Sequence, residues 1–248
     1  MKKIILSATA ALLMVTSANA DILGAEAGFA SWSSKLSGSI QGGNAGDADI
    51  NLEDNLGYGS NESNNFFWAY IDHPLPILPN LKIQRTSFSD SSSKTANVSF
   101  DGKAYSGSVN TQLQLDQIDI IGYYRILDNW VNLDLGVNFK VLDGNIKISD
   151  STATLATNKD ISAIIPMLYG KARFDMPFTG LSVEADANYI GFSGSSFTDM
   201  KAGIVYETSY GLGVTAGYRI QNITIDDIDD TNSDMDIKGI YAGLFYHF

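Results

Sequence analysis

The end of the chain alternates strictly between two kinds of side chain. A period of two places successive side chains on opposite faces of a β-strand. The chain therefore ends in a strand with one continuous apolar face and a terminal aromatic residue, and this pattern constrains what the rest can fold into. The apolar face consists of Ile240, Ala242, Leu244, Tyr246 and Phe248.

Similar patterns recur in ten segments that we predict to be strands, separated by stretches rich in Gly, Pro, Asn, Asp and Ser. The clearest is Val131–Val141, where Val, Leu and Phe occupy the odd positions and polar residues or Gly the even ones. Strands with one apolar and one polar face are typical of antiparallel sheets. The predicted strands are Ile22–Trp32, Phe66–Asp72, Leu81–Phe88, Leu113–Arg125, Val131–Val141, Ile161–Phe174, Leu181–Phe192, Thr198–Tyr206, Leu212–Ile225 and Ile237–Phe248.

Two of these segments are less regular than the others. In the fourth, the apolar residues switch from odd to even positions between Leu115 and Ile118. This switch predicts a β-bulge near Asp116 and Gln117. In the second, aromatic residues occupy both parities, so the pattern does not assign its two faces.

The connections between the predicted strands alternate in length. Those after strands two, four, six and eight are short, whereas those after strands one, three, five and nine are long. Short periplasmic turns and long extracellular loops are typical of outer-membrane barrels, and an even strand number returns both chain ends to one side. We therefore predict an all-β fold, an antiparallel up-and-down transmembrane β-barrel. The long connections are Ser33–Ser63, a loop marked by Ser89–Lys94 and Asp101–Gly102, Leu142–Asp160 and Asp226–Asp236.

The amino terminus has a different composition from the rest of the chain. Two lysines precede the apolar run Ile4–Val15, and small residues follow at Ala18 and Ala20. This is the pattern of a secretory signal peptide with cleavage after Ala20, and the run is too short to span a bilayer as a helix. We predict a signal peptide at residues 1–20 and a barrel at residues 21–248.

A secreted soluble barrel is the alternative, because periodicity alone does not say which face is inside. The polar faces carry Gly, Asn and isolated charges, whereas the apolar faces gain aromatic residues near strand ends. Such aromatics resemble the interfacial girdles of membrane barrels. Together with the signal peptide, they favour the outer membrane of a Gram-negative bacterium. The aromatic residues are Phe29, Tyr124, Phe139, Tyr189, Tyr206 and Tyr246.

Composition excludes several classes of function. The chain has no cysteine, so disulfides, thiolate metal sites and a lipid-modified amino-terminal cysteine are excluded. The formal net charge of −12 argues against nucleic acid as a partner. We expect no cofactor and no metal centre.

The polar strand faces carry charges of both signs that we predict to face the lumen. Acidic pairs can act in catalysis, but a narrow lumen that excludes much water needs opposite charges in pairs. We therefore favour a salt-bridged interior over a catalytic pair. The predicted lumen-facing charges are Glu26, Lys82, Asp134, Lys140, Lys171, Glu184, Asp186, Lys201 and Arg219.

The two histidines argue against an enzyme. His73 lies at the end of the second predicted strand, and His247 is the penultimate residue. Both positions place them at the periplasmic rim, away from the outer side across a barrel wall of about 25 Å. We find no nucleophile–base pair at one level of the barrel and predict no enzymatic activity.

The last long connection is the densest acidic stretch. Oxygen ligands suit calcium or magnesium, so loose binding of these ions at the cell surface is one interpretation. A solvated, self-repelling loop is the one we favour. The residues are Asp226, Asp227, Asp229, Asp230, Asp234 and Asp236.

Three stretches together resemble an uncharacterised proteobacterial family of small outer-membrane β-barrel proteins that carries a Gly-Gly label. They are His73–Asn80 with its three prolines, Asp119–Gly136, and the closing Tyr241–Phe248. Their order and spacing cover essentially the whole mature chain. The resemblance implies the barrel and its location, and it implies no substrate.

These observations predict an integral outer-membrane protein with a mostly filled lumen and a structural or surface-interaction role through its extracellular loops. A narrow channel for small solutes or ions is the first alternative, and a lipid-directed enzyme is the second. The expected partners are outer-membrane lipid, lipopolysaccharide and, during biogenesis, the barrel-assembly machinery, which would recognise the apolar face of the terminal strand. The pattern identifies no extracellular partner.

Overall fold

The computed structural model describes residues 24–41, 48–151, 154–228 and 231–248. The predicted signal peptide and its cleavage site lie outside these residues. Among the described residues no helix is long and apolar enough to cross a membrane. The strands are β1 (Gly24–Gln41), β2 (Asp49–Asn51), β3 (Asn61–Asp72), β4 (Asn80–Phe100), β5 (Lys103–Asp128), β6 (Val131–Asp150), β7 (Ala156–Asp175), β8 (Leu181–Phe192), β9 (Ser195–Glu207), β10 (Leu212–Ile228) and β11 (Thr231–His247).

Ten of these strands close into one antiparallel barrel. Each pairs with the next long strand, and β1 closes the ring by pairing with both β3 and β11. Phe29 on β1 lies opposite Phe67 on one side and Leu244 on the other. The short strand β2 pairs only with the last residues of β1. The predicted ten-stranded antiparallel barrel is confirmed.

The barrel has two distinct ends. At the near end, β1 begins beside the last residues of β11, with Glu26 opposite His247. The near end also holds the connections 73–79, 129–130, 176–180 and 208–211. The far end holds the other connections.

At the far end, most residues of the predicted loops belong to strands. The β4–β5 hairpin continues to a two-residue turn at Asp101 and Gly102, whose φ angles of 53° and 68° suit a hairpin turn. Likewise, the predicted loops 142–160 and 226–236 are largely taken up by the ends of β6 and β7 and of β10 and β11. Sequence periodicity missed these extensions because their outward side chains are polar.

Beyond mid-height the barrel wall divides into two sheets. Strands β3 and β4 stop pairing after Asn65 and Ser87, and strands β7 and β8 stop after Leu168 and Tyr189. Pro166, which has no backbone N–H, lies two residues beyond the last β7–β8 pair. One sheet therefore contains the extended strands β4–β7, and the other contains β8–β11, β1 and β3.

An apolar core fills the space between these sheets, and it corrects the predicted bulge. Leu113 and Leu115 are buried in this core, whereas Ile118 and Ile120 face outward. The pairing of β5 continues without a shift through Asp116 and Gln117, and its register shift lies between Arg125 and Leu127. The change of parity marks the height at which the inner face becomes apolar.

Residues 49–58, which we call the plug, cover the far end of this core. Ile50, Leu52 and Leu56 are almost completely buried in it. Ser92 on β4 donates a hydrogen bond of 2.8 Å to the carbonyl oxygen of Leu56, and Lys94 donates one of 3.1 Å to that of Glu53. The plug therefore closes the barrel from the far side.

The outer face of the near half is apolar all the way around, and we call this surface the belt. On β6, the outward residues are apolar from Val131 to Val141 and then polar from Asp143 onward. About eleven residues, at about 3.3 Å each and tilted by about 45°, span about 25 Å. Exposed belt residues include Phe67, Ile83, Ile120, Leu135, Leu168, Val183, Ile204, Val214, Tyr218 and Leu244.

Candidate functional site

Four charged side chains meet in the barrel interior with almost no exposure to solvent. The Lys140 ammonium lies 2.8 Å from the carboxylate of Asp119 and 2.9 Å from that of Asp199. Arg219 donates to Asp199 from another side, through Nε at 2.9 Å and Nη2 at 2.8 Å. Each buried charge therefore contacts an opposite charge, as burial in a low-dielectric interior requires.

Amide and hydroxyl side chains tie this level together across the lumen. Gln117 on β5 and Gln221 on β10 exchange hydrogen bonds of 2.8 and 3.0 Å. Arg219 also donates to the hydroxyl of Thr86 on β4 at 3.0 Å. Since β5 and β10 are on opposite sides of the ring, these bonds cross the lumen. We call this set the central cluster: Thr86, Gln117, Asp119, Asn138, Lys140, Asp199, Arg219 and Gln221.

Aromatic rings join the central cluster to the apolar core above it. The Arg219 guanidinium carbon lies 4.9 Å from the centre of the Trp32 ring and 5.0 Å from that of Phe66. The Lys140 ammonium lies 5.3 Å from the Phe197 ring. Cation–π contacts of this kind stabilise a desolvated charge. The charged level and the core therefore form one continuous packed region.

A second ionic layer, the lower cluster, lies between the central cluster and the near end. Asp186 contacts the ammonium groups of Lys82 at 3.0 Å and Lys201 at 3.1 Å, and Glu184 contacts Lys171 at 3.1 Å. The cavity beside these residues has a volume of about 20 Å³. That volume is enough for about one water molecule.

The near-end mouth is wider and also lined by paired charges. Arg125 contacts Asp72 at 2.8 Å and Asp134 at 3.1 Å, and Arg173 contacts Asp175 at 2.8 Å. The cavity that these residues line has a volume of about 590 Å³. The interior therefore narrows from a polar mouth to the filled clusters.

Both histidines line this near-end mouth. His73 Nδ1 accepts a hydrogen bond of 3.2 Å from the backbone N–H of Leu75, and its Nε2 lies 3.1 Å from the carbonyl oxygen of Pro79. His247 Nδ1 lies 3.1 Å from Glu207. Both ring nitrogens of His73 therefore make their contacts within its own turn, which is a structural role.

The structure brings the nine charged residues predicted to face the lumen into the interior. Eight of them contact an opposite charge. Glu26 instead accepts hydrogen bonds from Trp68 Nε1 at 2.6 Å and from the Tyr70 hydroxyl at 3.2 Å. Sequence reasoning missed Asp119 and Asp199, although both occupy lumen-facing parities of their strands.

The predicted acidic loop is only partly described, because the side chains of Asp227, Asp229 and Asp230 lie outside the described part. Asp236 accepts a hydrogen bond from Asn222 and lies 3.6 Å from Lys238, and Asp234 is exposed. The backbone N–H of Asp226 donates to Ser195. Among the described residues no group of three or more His, Cys, Asp or Glu side chains could hold a metal ion.

One carboxylate beneath the plug has an unusual environment. Asp90 is 5% exposed, and its Oδ2 atom has no hydrogen-bond partner among the described residues. Burial and, secondarily, the nearby charge of Glu62 raise the pKa of Asp90 to about 6. Burial also raises the pKa of Tyr58, on the plug, to about 12. The underside of the plug therefore disfavours negative charge.

The apolar face predicted for the terminal strand points outward into the belt. Ile240, Leu244, Tyr246 and Phe248 are exposed there, and Ala242 lies between them. The backbone N–H of Phe248 donates to the carbonyl oxygen of Ala25 at 2.8 Å, so the last residue is fixed to the first strand.

No protein-family model matches the chain, and no curated protein does. Solved outer-membrane barrels are similar in overall shape. The outer-membrane protease OmpT of Escherichia coli is 11% identical with a TM-score of 0.49, covering 95% of this chain and 99% of its own. The transport unit of the autotransporter AIDA-I of Escherichia coli is 10% identical with a TM-score of 0.43, covering 96% and 94%.

Proposed function

We propose that this chain is an integral outer-membrane protein with a closed lumen, and that its far end has a structural or surface-interaction role. The central cluster is the observation that carries the proposal. Gln117 and Gln221 bond to each other across the barrel and, like Lys140 and Arg219, have no exposed surface. Ten strands are also near the size, about eight strands, at which side chains fill a barrel.

The belt supports a membrane location. Soluble monomers rarely expose contiguous apolar patches larger than a few hundred Å². Here exposed aliphatic and aromatic residues surround the whole barrel over about 25 Å, the height of the apolar band of outer-membrane barrels. Outer-membrane lipid and lipopolysaccharide are the partners that this surface fits, and the assembly machinery is the partner proposed for the terminal strand.

The part of the wall beyond the belt, which we call the head, would then project from the cell. Its outer face is polar, and a groove of about 500 Å³ there is lined by Ser91, Ser93, Asn110, Gln112 and Lys147, among others. Hydroxyl and amide groups suit hydrogen bonding to a polar partner. The proposal includes no catalytic activity.

Epitope labelling of intact cells tests this arrangement. We expect an antibody to label a tag inserted between Asp101 and Gly102, at the tip of the head, because this turn would stand outside the membrane. A matched tag between Ser209 and Tyr210, in a near-end turn, should be labelled only after the outer membrane is permeabilised. Labelling of the near-end tag alone in intact cells would reverse the proposed orientation. If neither tag were labelled in intact cells but the near-end tag were labelled after permeabilisation, an exposed head would be contradicted.

A narrow path for ions is the second candidate function. The observation that favours it is the near-end mouth, a cavity of about 590 Å³ lined by charges of both signs. Conduction would require the two clusters above it to separate. A small, steady conductance in planar lipid bilayers would favour this path over the closed lumen.

A further inference from the structure

The connection between β3 and β4, residues 73–79, exposes an unusual amount of apolar surface for a turn. We call it the proline turn, since Pro74, Pro76 and Pro79 lie within it. Ile77 is 86% exposed, and Leu75 and Leu78 are each more than half exposed. A connection that faces water would be expected to carry polar side chains.

The proline turn folds against the outer wall of the barrel. The hydroxyl of Tyr124, which faces outward on β5, donates a hydrogen bond of 3.0 Å to the carbonyl oxygen of Ile77. The ring of Pro79 packs over Gly122, where a Cβ atom would lie 3.7 Å from the ring. Gly122 and Tyr124 belong to the same outward face as Ile120. The turn is therefore continuous with the near edge of the belt.

Three of the four backbone N–H groups of the turn, and three of its carbonyl oxygens, have hydrogen-bond partners in the turn or next to it. The N–H groups of His73, Leu75 and Leu78 donate to the Asn80 side chain at 3.0 Å, to His73 Nδ1 at 3.2 Å and to the Leu75 carbonyl at 3.3 Å. The carbonyl oxygen of Pro79 lies 3.1 Å from His73 Nε2. The three prolines have no N–H to satisfy. Irregular backbone is not exposed to lipid within the hydrocarbon region, so the backbone of the turn would lie at the level of the headgroups and only its side chains would reach the acyl chains.

We propose that the proline turn is a lipid anchor, which inserts Leu75, Ile77 and Leu78 among the acyl chains of the near, periplasmic leaflet. The occupant is phospholipid because the turn continues the belt and because Leu75, Ile77 and Leu78 expose apolar side chains beside it. The anchor would fix the depth at which the barrel sits on its periplasmic side. This inference rests on the proposed membrane location.

Depth-dependent quenching tests the anchor. The chain has no cysteine, so Ile77→Cys creates a unique site for an environment-sensitive fluorophore. The labelled protein is folded into phosphatidylcholine vesicles and quenched either by lipid-borne spin labels near the headgroups or by aqueous iodide. Leu135→Cys, in the belt, serves as the lipid-exposed control, and Asp101→Cys, at the tip of the head, as the aqueous control. Heat-modifiable mobility on gels verifies folding, and Leu78→Cys replaces Ile77→Cys if that variant does not fold.

We expect the probe at position 77 to be quenched several-fold more by spin-labelled lipid than the probe at position 101, and to be shielded from iodide. Iodide access equal to that at position 101, with position 135 still quenched by lipid, would overturn the anchor and leave the membrane barrel intact. Loss of lipid quenching at position 135 would instead contradict the proposed function. Shielding at position 77 that disappears at high lipid-to-protein ratio would identify a second copy as the occupant and overturn the anchor.

Discussion

Asp199→Ala is expected to destabilise the barrel by about 3–5 kcal/mol, the usual cost of removing one partner of a buried ion pair. The Asp199 carboxylate accepts hydrogen bonds from Lys140, Arg219 and Gln221, at 2.8–2.9 Å. Without it, Arg219 loses its only ion-pair partner among the described residues, and Lys140 keeps only Asp119. Urea unfolding of the protein in lipid vesicles, followed by tryptophan fluorescence, measures the loss.

Asp116→Ala is the matched control for this variant. Asp116 pairs with Arg85 at 3.5 Å on the outer surface, and both side chains are more than half exposed. Exposed pairs contribute about 0–1 kcal/mol, so this variant should unfold close to the wild type. If the two variants lost the same stability, the interior would be as hydrated as the surface, and the filled lumen would be contradicted.

Leu135→Arg is expected to cost about 2–4 kcal/mol, the penalty for an arginine at mid-bilayer on the lipid face of a barrel. Leu135 is 48% exposed in the middle of the belt, and it lies opposite Tyr124 on the neighbouring strand. The same vesicle-based unfolding measurement applies. Its expected result follows from lipid exposure alone, because the side chain makes no polar contact that the substitution would break.

Asn145→Arg provides the comparison on the same strand. Asn145 also belongs to the outward face of β6, but it lies beyond Val141, where that face becomes polar. A surface substitution of this kind usually changes stability by about 0.5 kcal/mol or less. Equal losses for Leu135→Arg and Asn145→Arg would mean that the belt does not face lipid.

The near half of the barrel could be predicted from the sequence because one parity of each strand is apolar there. Val131–Val141 is the clearest example. Beyond Val141 the polarity reverses: Asp143 and Lys147 face outward, whereas Leu142 and Ile148 are buried in the core. A search for apolar outward faces therefore makes β4, β5, β6 and β7 too short at the far end, whereas it predicts the observed bounds of β8. The same reversal on β5 was interpreted as a bulge.

The sequence predicts that charges of both signs face the lumen, but it does not predict which of them pair. Parity assigns Lys140 to the lumen, but its partner Asp199 is 59 residues away along the chain. Gln117 and Gln221 are 104 residues apart. Which side chains meet across the lumen depends on the stagger of all ten strands, and strand periodicity alone does not give that stagger. The sequence allows Ser33–Ser63 to fold inward as a partial plug, but it does not predict that Ile50, Leu52 and Leu56 are the residues that enter the core, because they have no strand periodicity.

Conductance in planar lipid bilayers tests the closed lumen most directly. The wild-type protein is inserted from detergent, and insertion is verified by antibody access to a tag between Asp101 and Gly102 on one side of the membrane. The central cluster, the apolar core and the plug lie in series, so we predict no steady conductance across a range of voltages. Stable, large and unselective conductance from the inserted wild-type protein would contradict the closed lumen and favour a diffusion pore.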